Sequence, residues 1–538
     1  MSVPPEQLPD GLAAKSKYIA LIAMLLAVAM TFIDQTVIAV ATPNIQQELG
    51  LSRDAGLWVI NGYLLALAAG FAFGGRLADV LGHKRTVLAG IIGFAVTSAL
   101  CGAAPSGSGA EAWIVSFRVL QGLSAALMIP AALAIVVSSF RVSERGKALA
   151  IFFGVSGGLT SIGPFAGGYL VQWTWRSIFW INVPIAILAI IVTLRAGIVD
   201  RPVRQRIDYR GAAIIAAGMA LSVLGLQQAT SWGWADVRTI GCIGAGTVLL
   251  VIFALIQLRT AHPLIRVRIF ADRAFVVDNA VLFLSMVAFV PVFFFASVYA
   301  QLSLGDSASE AGLYLLTFFA GFAPAAQIGG RMLDSGGAKK PVLLGCGIGA
   351  VGFALWARAV PDLDFGGHWY WIVLAGAGIG LLLGPVSTDA TNRAIDASYG
   401  EVTGITQTVR NYGSSLGLAV LGTLLTGVFT SRLTDSFVGL GQSRDAARGS
   451  AEQVADLGGG SSSSSLDNVP EAFRAQVLKA IQLDFAYATR AVLIGMAVAL
   501  VLAFLVALAH PGTRVLDPAE ATDAESARDV ETGQSAPS

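Results

Sequence analysis

Residues Gly74 to Gly90 read GGRLADVLGHKRTVLAG and are flanked by two apolar runs, Leu57 to Phe73 and Thr86 to Ala104. Each run is long enough to cross a bilayer core of roughly 30 Å at about 1.5 Å per residue. The quoted stretch is therefore a very short basic turn at a membrane face. Shifting every number by 255 gives GGRMLDSGGAKKPVLLG, Gly329 to Gly345, where Gly74, Gly75, Arg76, Asp79, Gly82, Lys84, Val87, Leu88 and Gly90 recur without a gap. The chain repeats itself internally.

Composition agrees with a membrane-embedded chain. Of the 538 residues 55% are hydrophobic and 13% charged, with a mean hydropathy of +0.71, outside the range of soluble globular domains. A net charge of +1 gives no footprint for nucleic acid. Cys101, Cys242 and Cys346 fall inside apolar segments at spacings that match neither a metal site nor a disulfide framework. No nucleophile, base and orienting group fall into a plausible common pocket, so the sequence does not read as an enzyme.

Apolar stretches of about 17 to 25 residues predict fourteen transmembrane helices, near 18–42, 55–75, 86–104, 112–138, 146–172, 178–197, 211–228, 238–258, 275–303, 309–331, 341–359, 369–390, 403–430 and 484–508. The repeat joins the turn after helix 2 to the turn after helix 10, a shift of eight helices. Two six-helix bundles with an inserted pair account for it most simply. The expected organisation is an N-tail at 1–17, a first bundle at 18–197, a linker and two inserted helices at 198–274, and a second bundle at 275–508. Within the second bundle 431–483 reads as one long outer loop, with a flexible GGGSSSSS tract at Gly458 to Ser465 and a short surface helix over Pro470 to Leu483. A disordered tail at 509–538 follows. About 23 of the 35 Lys and Arg residues lie on the side of the N-tail and the Gly74 turn, against about 9 opposite. The positive-inside rule then places both termini in the cytoplasm.

Asp34 reads as the only carboxylate deep in a span, a placement that costs roughly 2.5 to 3.5 kcal/mol on insertion scales and marks a bundle interior or a water-filled cavity. The bland alternative is an acid solvated near a helix end. Arg118, on a helix that runs the other way, lies at a matching depth. Were the two helices neighbours, the Arg118 charge and desolvation would act on Asp34 in opposite senses, leaving its protonation sensitive to which way a cavity opens. Neither charge recurs in the second half, where Phe289 and Val373 stand at the shifted positions. Asp278 and Asp389 near helix ends, and Asp484 at the outer end of the last helix, read first as solvated, with Asp278 and Asp389 the candidates for secondary titrating sites. In the turn, Gly75, Asp79, Gly82, Lys84 and Arg85 suit a tight reversal whose acid accepts from an adjoining helix N-terminus or an Arg when the inner face is shut. Gly163, Pro164, Gly167 and Gly168 form a small-residue face on helix 5, which predicts close packing with a bend.

These motifs together resemble the major facilitator superfamily, in particular its fourteen-helix drug:proton antiporters. GRLADVLGHKR resembles the superfamily's loop signature, RVLQG (Arg118 to Gly122) its helix 4 signature, and GPFAGG (Gly163 to Gly168) the antiporter signature of helix 5. FIDQTVIAVATPNI (Phe32 to Ile45) and WRSIFWINVP (Trp175 to Pro184) resemble the signatures of helix 1 and the entry to helix 6. The resemblance implies an all-α polytopic fold of two six-helix bundles plus two inserted helices. It also implies proton coupling through Asp34, Arg118 and Gln121, and a cytoplasmic gate at the Gly74 turn. The expected activity is export of amphipathic small molecules, cationic or neutral, from a bacterial inner membrane by a monomer. The proton is the coupling ion and no further cofactor is implied. Asn61 stands neutral in a helix 2 region where multidrug relatives can carry an acid, and is expected as a polar group of the cavity. Two other readings remain open: a dedicated exporter of one metabolite, antibiotic or lipid, and a non-transporting membrane sensor or scaffold.

Overall fold

The computed structural model describes residues 10–51, 53–199, 207–260, 263–393, 399–456 and 471–512, and among these it is helical with no strand. The first nine residues, most of the basic linker (200–206), the Gly458 to Ser465 tract and the tail beyond Gly512 lie outside the described residues. The first half comprises α1 (Asp10–Leu49), α2 (Arg53–Leu81), α3 (His83–Gly102), α4 (Ala110–Ser139) and α5 (Val142–Val171). Its sixth span is built in two pieces, α6 (Ser177–Trp180) and α7 (Asn182–Arg195). The inserted pair is α8 (Tyr209–Trp232) and α9 (Val237–Gln257). The second half comprises α10 (Arg273–Tyr299), α11 (Ala308–Gly336), α12 (Lys339–Ala359), α13 (Trp369–Asn392), α14 (Tyr399–Gly439), the short α15 (Arg444–Asp456) and α16 (Glu471–Leu508). Thirteen spans are apolar and long enough to cross a membrane among the described residues, and α5, at 30 residues, adds the fourteenth.

The two halves pack by one scheme. In the first, α2 and α3 pack on α4, α1 on α5 and α7, and α3 on α7. In the second, α11 and α12 pack on α13, α10 on α14 and α16, and α12 on α16. Helices in lipid gain little from apolar burial against one another, so close contact rests on small residues that let backbones meet. A β-carbon on Gly74 would overlap the Ala126 carbonyl oxygen, and one on Gly329 would overlap that of Leu381. Both members of that pair are related by the same shift of 255 seen in the sequence. The turn after α2 reverses at Gly82, whose φ of +104° favours glycine.

The inserted pair covers the seam between the halves on one side: α8 packs on α2 and α14, and α9 packs on α8. The outer face of α9 exposes Val237, Ile240, Val248, Val251 and Leu255, and α16 likewise exposes Val498, Leu502 and Leu505. Such apolar rims suit acyl chains. The stretch at 431–483 is largely helical rather than one long loop. Its first part continues α14, and α15 then returns Ala447 and Ala451 to the core. The separate surface helix expected at Pro470 to Leu483 is instead the start of α16, which runs unbroken from Glu471 into the last span.

Candidate functional site

Asp34, Arg118 and Gln121 meet in the buried interior of the first half. Arg118 Nη1 donates to Asp34 Oδ2 at 2.6 Å and to Gln121 Oε1 at 2.8 Å, and Gln121 Nε2 donates to Asp34 Oδ1 at 3.1 Å. Both carboxylate oxygens are thus engaged. Arg118 also donates from Nε to the Val59 carbonyl of α2 at 2.8 Å and lies 4.5 Å from the centre of the Tyr63 ring. Asp34 is 4% exposed and Arg118 and Gln121 are fully buried. The sequence places the two side chains of α4 on one face because they are three residues apart. Gly122 beside them brings α4 against the α2 backbone, since a β-carbon there would overlap the Tyr63 carbonyl oxygen. One backbone carbonyl, one ring and one amide therefore hold the ion pair in a single geometry. Asn61 is half-buried on α2, two residues before Tyr63.

The small face of α5 lies against the helix that carries Asp34. A β-carbon on Gly163 would collide with Thr36 of α1, and one on Gly167 would press on Val37 at 3.1 Å. The side-chain surroundings of Pro164 and Gly168 lie outside the described residues.

At the face of the membrane that bears the Gly74 turn, here called the basic face, the two halves are joined. Asp79 is buried and accepts from the first-turn N–H groups of α14, Gly400 N at 2.9 Å and Glu401 N at 2.7 Å. A carboxylate at a helix N-terminus meets unpaired donors and the positive end of the helix dipole. Gly75 and Gly400 let the two backbones approach: a β-carbon on either would overlap the other's carbonyl oxygen. The repeat builds the same contact a second time. Asp334, at the shifted position, accepts at 3.2 Å from the N–H of Gly146, the fifth residue of α5, with Gly330 against the Gly146 carbonyl. His83 Nε2 also lies 3.0 Å from Asp79. Lys84 and Arg85 follow at the start of α3, half-buried and exposed respectively.

The sequence reading missed several partners of this latch. Arg145 donates to Asn392 at 2.7 Å and to the Tyr399 hydroxyl at 3.2 Å. Buried Glu401 lies 3.8 Å from Arg76, 3.9 Å from Arg266 Nε, and accepts from the Arg266 backbone N–H. Charged residues beside a basic turn are common in sequence, and nothing in their spacing separates the paired from the solvated.

Asp34 is not the only buried acid, which corrects the reading of Asp278, Asp389 and Asp484 as solvated. Asp278 and Asp389 are 1% and 2% exposed, and with His510 their ligating atoms all lie within 4.8 Å of one another. Asp389 pairs with Arg393 at 2.8 Å, and His510 reaches Asp389 at 3.3 Å and Asp278 at 3.5 Å. His510, just beyond α16, shields the pair from water. Asp484 is buried against Ser436 at 2.6 Å and Arg432 at 3.3 Å on α14.

Twelve spans in two like halves joined by reciprocal bonds at one membrane face, two inserted spans, and an ion pair buried inside the first half define a multi-pass membrane transporter rather than an enzyme. The sequence profile of the Major Facilitator Superfamily matches residues 24–418, and the chain belongs to that superfamily. The tetracenomycin C resistance and export protein of Streptomyces glaucescens is 35% identical over 426 residues, covering 78% of this chain and 77% of that one. Multidrug resistance protein 3 of Bacillus subtilis (strain 168) is 27% identical over 481 residues, 88% of this chain and 92% of its own. Among solved structures, the human organic anion transporter MFSD10 (TETRAN) superposes with a TM-score of 0.57 at 13% identity, over 91% of this chain and 99% of that one, a likeness of fold alone.

Proposed function

We propose that this protein exports amphipathic small molecules from a bacterial cell in exchange for inward-moving protons, by alternating access across the cytoplasmic membrane. The observation that carries the reading is Asp34, buried with both oxygens held by Arg118 and Gln121. The names of the relatives, one an antibiotic exporter and one a multidrug resistance protein, support export. The basic face is taken as cytoplasmic, with both termini there. The protein works as a monomer in the bilayer, with the proton as its coupling ion and no cofactor.

In this account a proton and Arg118 compete for one carboxylate. Protonation of Asp34 releases Arg118 to Gln121 and the Val59 carbonyl, which loosens α1 from α4. Because α5 packs on α1 at Thr36 and Val37, movement of α1 carries α5 with it. Gly146 near the start of α5 holds Asp334 across the interface, so the shift is delivered to the latch. Opening at the cytoplasmic face admits substrate; reclosure restores the bonds of Asp79 and Asp334.

Everted membrane vesicles with an acidified lumen and a pH-sensitive dye test the reading. Adding an amphiphile that the protein transports is expected to release lumenal protons only where the protein is present. A lumenal pH indifferent to every amphiphile that the protein removes from cells would overturn it. The relative named for a single antibiotic favours a second reading, a dedicated exporter, which the same assay separates by the breadth of compounds that evoke proton release.

A further inference from the structure

Arg410 stands eleven residues into α14, about 16 Å along the helix from its start. Arg410 is half-buried, whereas the buried arginines have polar partners: Arg118 has Asp34, Arg76 has Glu401, and Arg145 has Asn392 and Tyr399. Among the described residues no carboxylate, hydroxyl or carbonyl accepts from the Arg410 side chain, and its Nη1 is shut from solvent with no acceptor. Its one neighbour of note is the Phe153 ring, 4.4 Å from the guanidinium carbon. A ring face offsets part of the charge but accepts none of the in-plane N–H groups. A cation left so inside a transmembrane bundle is costly unless something supplies an opposite charge.

Arg410 faces a gap between the two halves. Leu133 and Phe153 of the first half form an apolar wall, and Ser387, Gln407 and Arg410 of the second form a polar one. The Ser387 hydroxyl, 6% exposed, also lacks a hydrogen-bond partner. Within the gap only about 10 Å³ is open to a water-sized sphere, far below the roughly 300 to 1,000 Å³ of pockets that enclose drug-sized ligands. It therefore widens only as the halves part. Thr403, less than one turn from the Asp79 contact at Gly400, lines its floor, so opening of the basic face opens the gap as well.

We infer that this gap is the substrate site and that the missing counter-charge arrives with the substrate: the pocket takes amphipathic molecules with a negatively charged group. The anion would accept from the Arg410 guanidinium and the Ser387 hydroxyl, while the apolar frame lies on Phe153 and Leu133. This deepens the export reading and rests on it, and it replaces the cationic or neutral class suggested by sequence.

Two probes share one frame: 8-anilinonaphthalene-1-sulfonate carries a sulfonate that N-phenyl-1-naphthylamine lacks. Both are titrated into purified full-length protein in lipid nanodiscs, with empty nanodiscs subtracted. Arg410→Gln is expected to weaken the sulfonate at least tenfold, about 1.4 kcal/mol, with Arg410→Lys losing less and the neutral probe shifting by under about twofold. Unchanged sulfonate binding in Arg410→Gln, or equal loss of both probes, would overturn the inference. Where Arg410→Gln does not fold, competition on the unaltered protein decides. Naphthalene-2-sulfonate should displace the bound sulfonate probe and naphthalene-2-sulfonamide should not; displacement by both alike would overturn the inference. Asp34→Asn, titrated in parallel, should keep the preference for the sulfonate. A failure of proton coupling appears in proton flux, whereas a failure of this assignment appears in the binding preference.

Discussion

Replacing Asp79 with alanine removes the acceptor for two N–H groups at the start of α14, at 2.9 and 2.7 Å, in a buried setting. Hydrogen bonds to a charged group contribute about 1.5 to 3 kcal/mol each. With the halves apart, water satisfies Gly400 N and Glu401 N, so the loss falls on the closed state. A shift of at least about 3 kcal/mol toward opening at the basic face follows, roughly a hundredfold change in the equilibrium. Asp334 accepts from Gly146 N at 3.2 Å in a half-buried position, and losing that longer bond in Asp334→Ala should move the same equilibrium by about 1 kcal/mol. Spin labels at exposed Leu81 on α2 and Ser335 on α11 report across the face by pulsed electron resonance. The account expects a long-distance population that is dominant in Asp79→Ala and smaller in Asp334→Ala. Identical distance distributions in the parent and Asp79→Ala would refute the latch.

Further outcomes follow from the same geometry. Arg118→Ala leaves a buried carboxylate with its cation gone and should cost about 3 to 5 kcal/mol of stability, whereas Gln121→Ala, which removes one amide, should cost about 1 to 2; thermal unfolding in detergent checks the order. Gly163→Ala forces a β-carbon onto Thr36 and should lower stability by about 1 to 3 kcal/mol, read in the same melts. One proton exchanged for one monoanion moves two charges, about 4.6 kcal/mol per 100 mV. Efflux of the sulfonate probe should thus fall sharply when potassium and valinomycin collapse the potential; efflux unchanged by that treatment would refute the exchange of an anion for a proton.

How much was legible in the sequence differs from residue to residue. The repeat of the Gly74 turn at Gly329 is visible as letters, and it foretold both the like packing of the halves and an acid at an adjoining helix N-terminus, because tight helix crossings constrain residue type directly. Asp34 and Arg118 were paired by depth, since helix length converts position into height. Height says nothing of lateral cover, and Asp278 and Asp389 show it: near helix ends by count, they are buried because His510, over a hundred residues away, closes over them. Arg410 is visible as a charge within a span, but the absence of an acceptor around it is a property of α4, α5, α13 and α14 together. The run at 431–483 reads as a loop because its polarity masks helices that extend past the bilayer, where polar side chains carry no penalty.

Proton flux and substrate exchange, measured on one preparation of proteoliposomes bearing Asp34→Asn, test the central claim most directly. An amide in place of the carboxylate keeps the shape and one acceptor oxygen but cannot carry a proton. The account predicts substrate-for-substrate exchange within about tenfold of the parent, together with loss of substrate-evoked proton flux and of accumulation driven by a pH gradient. Accumulation at the parent rate in Asp34→Asn would contradict it and move the coupled proton to another carboxyl group.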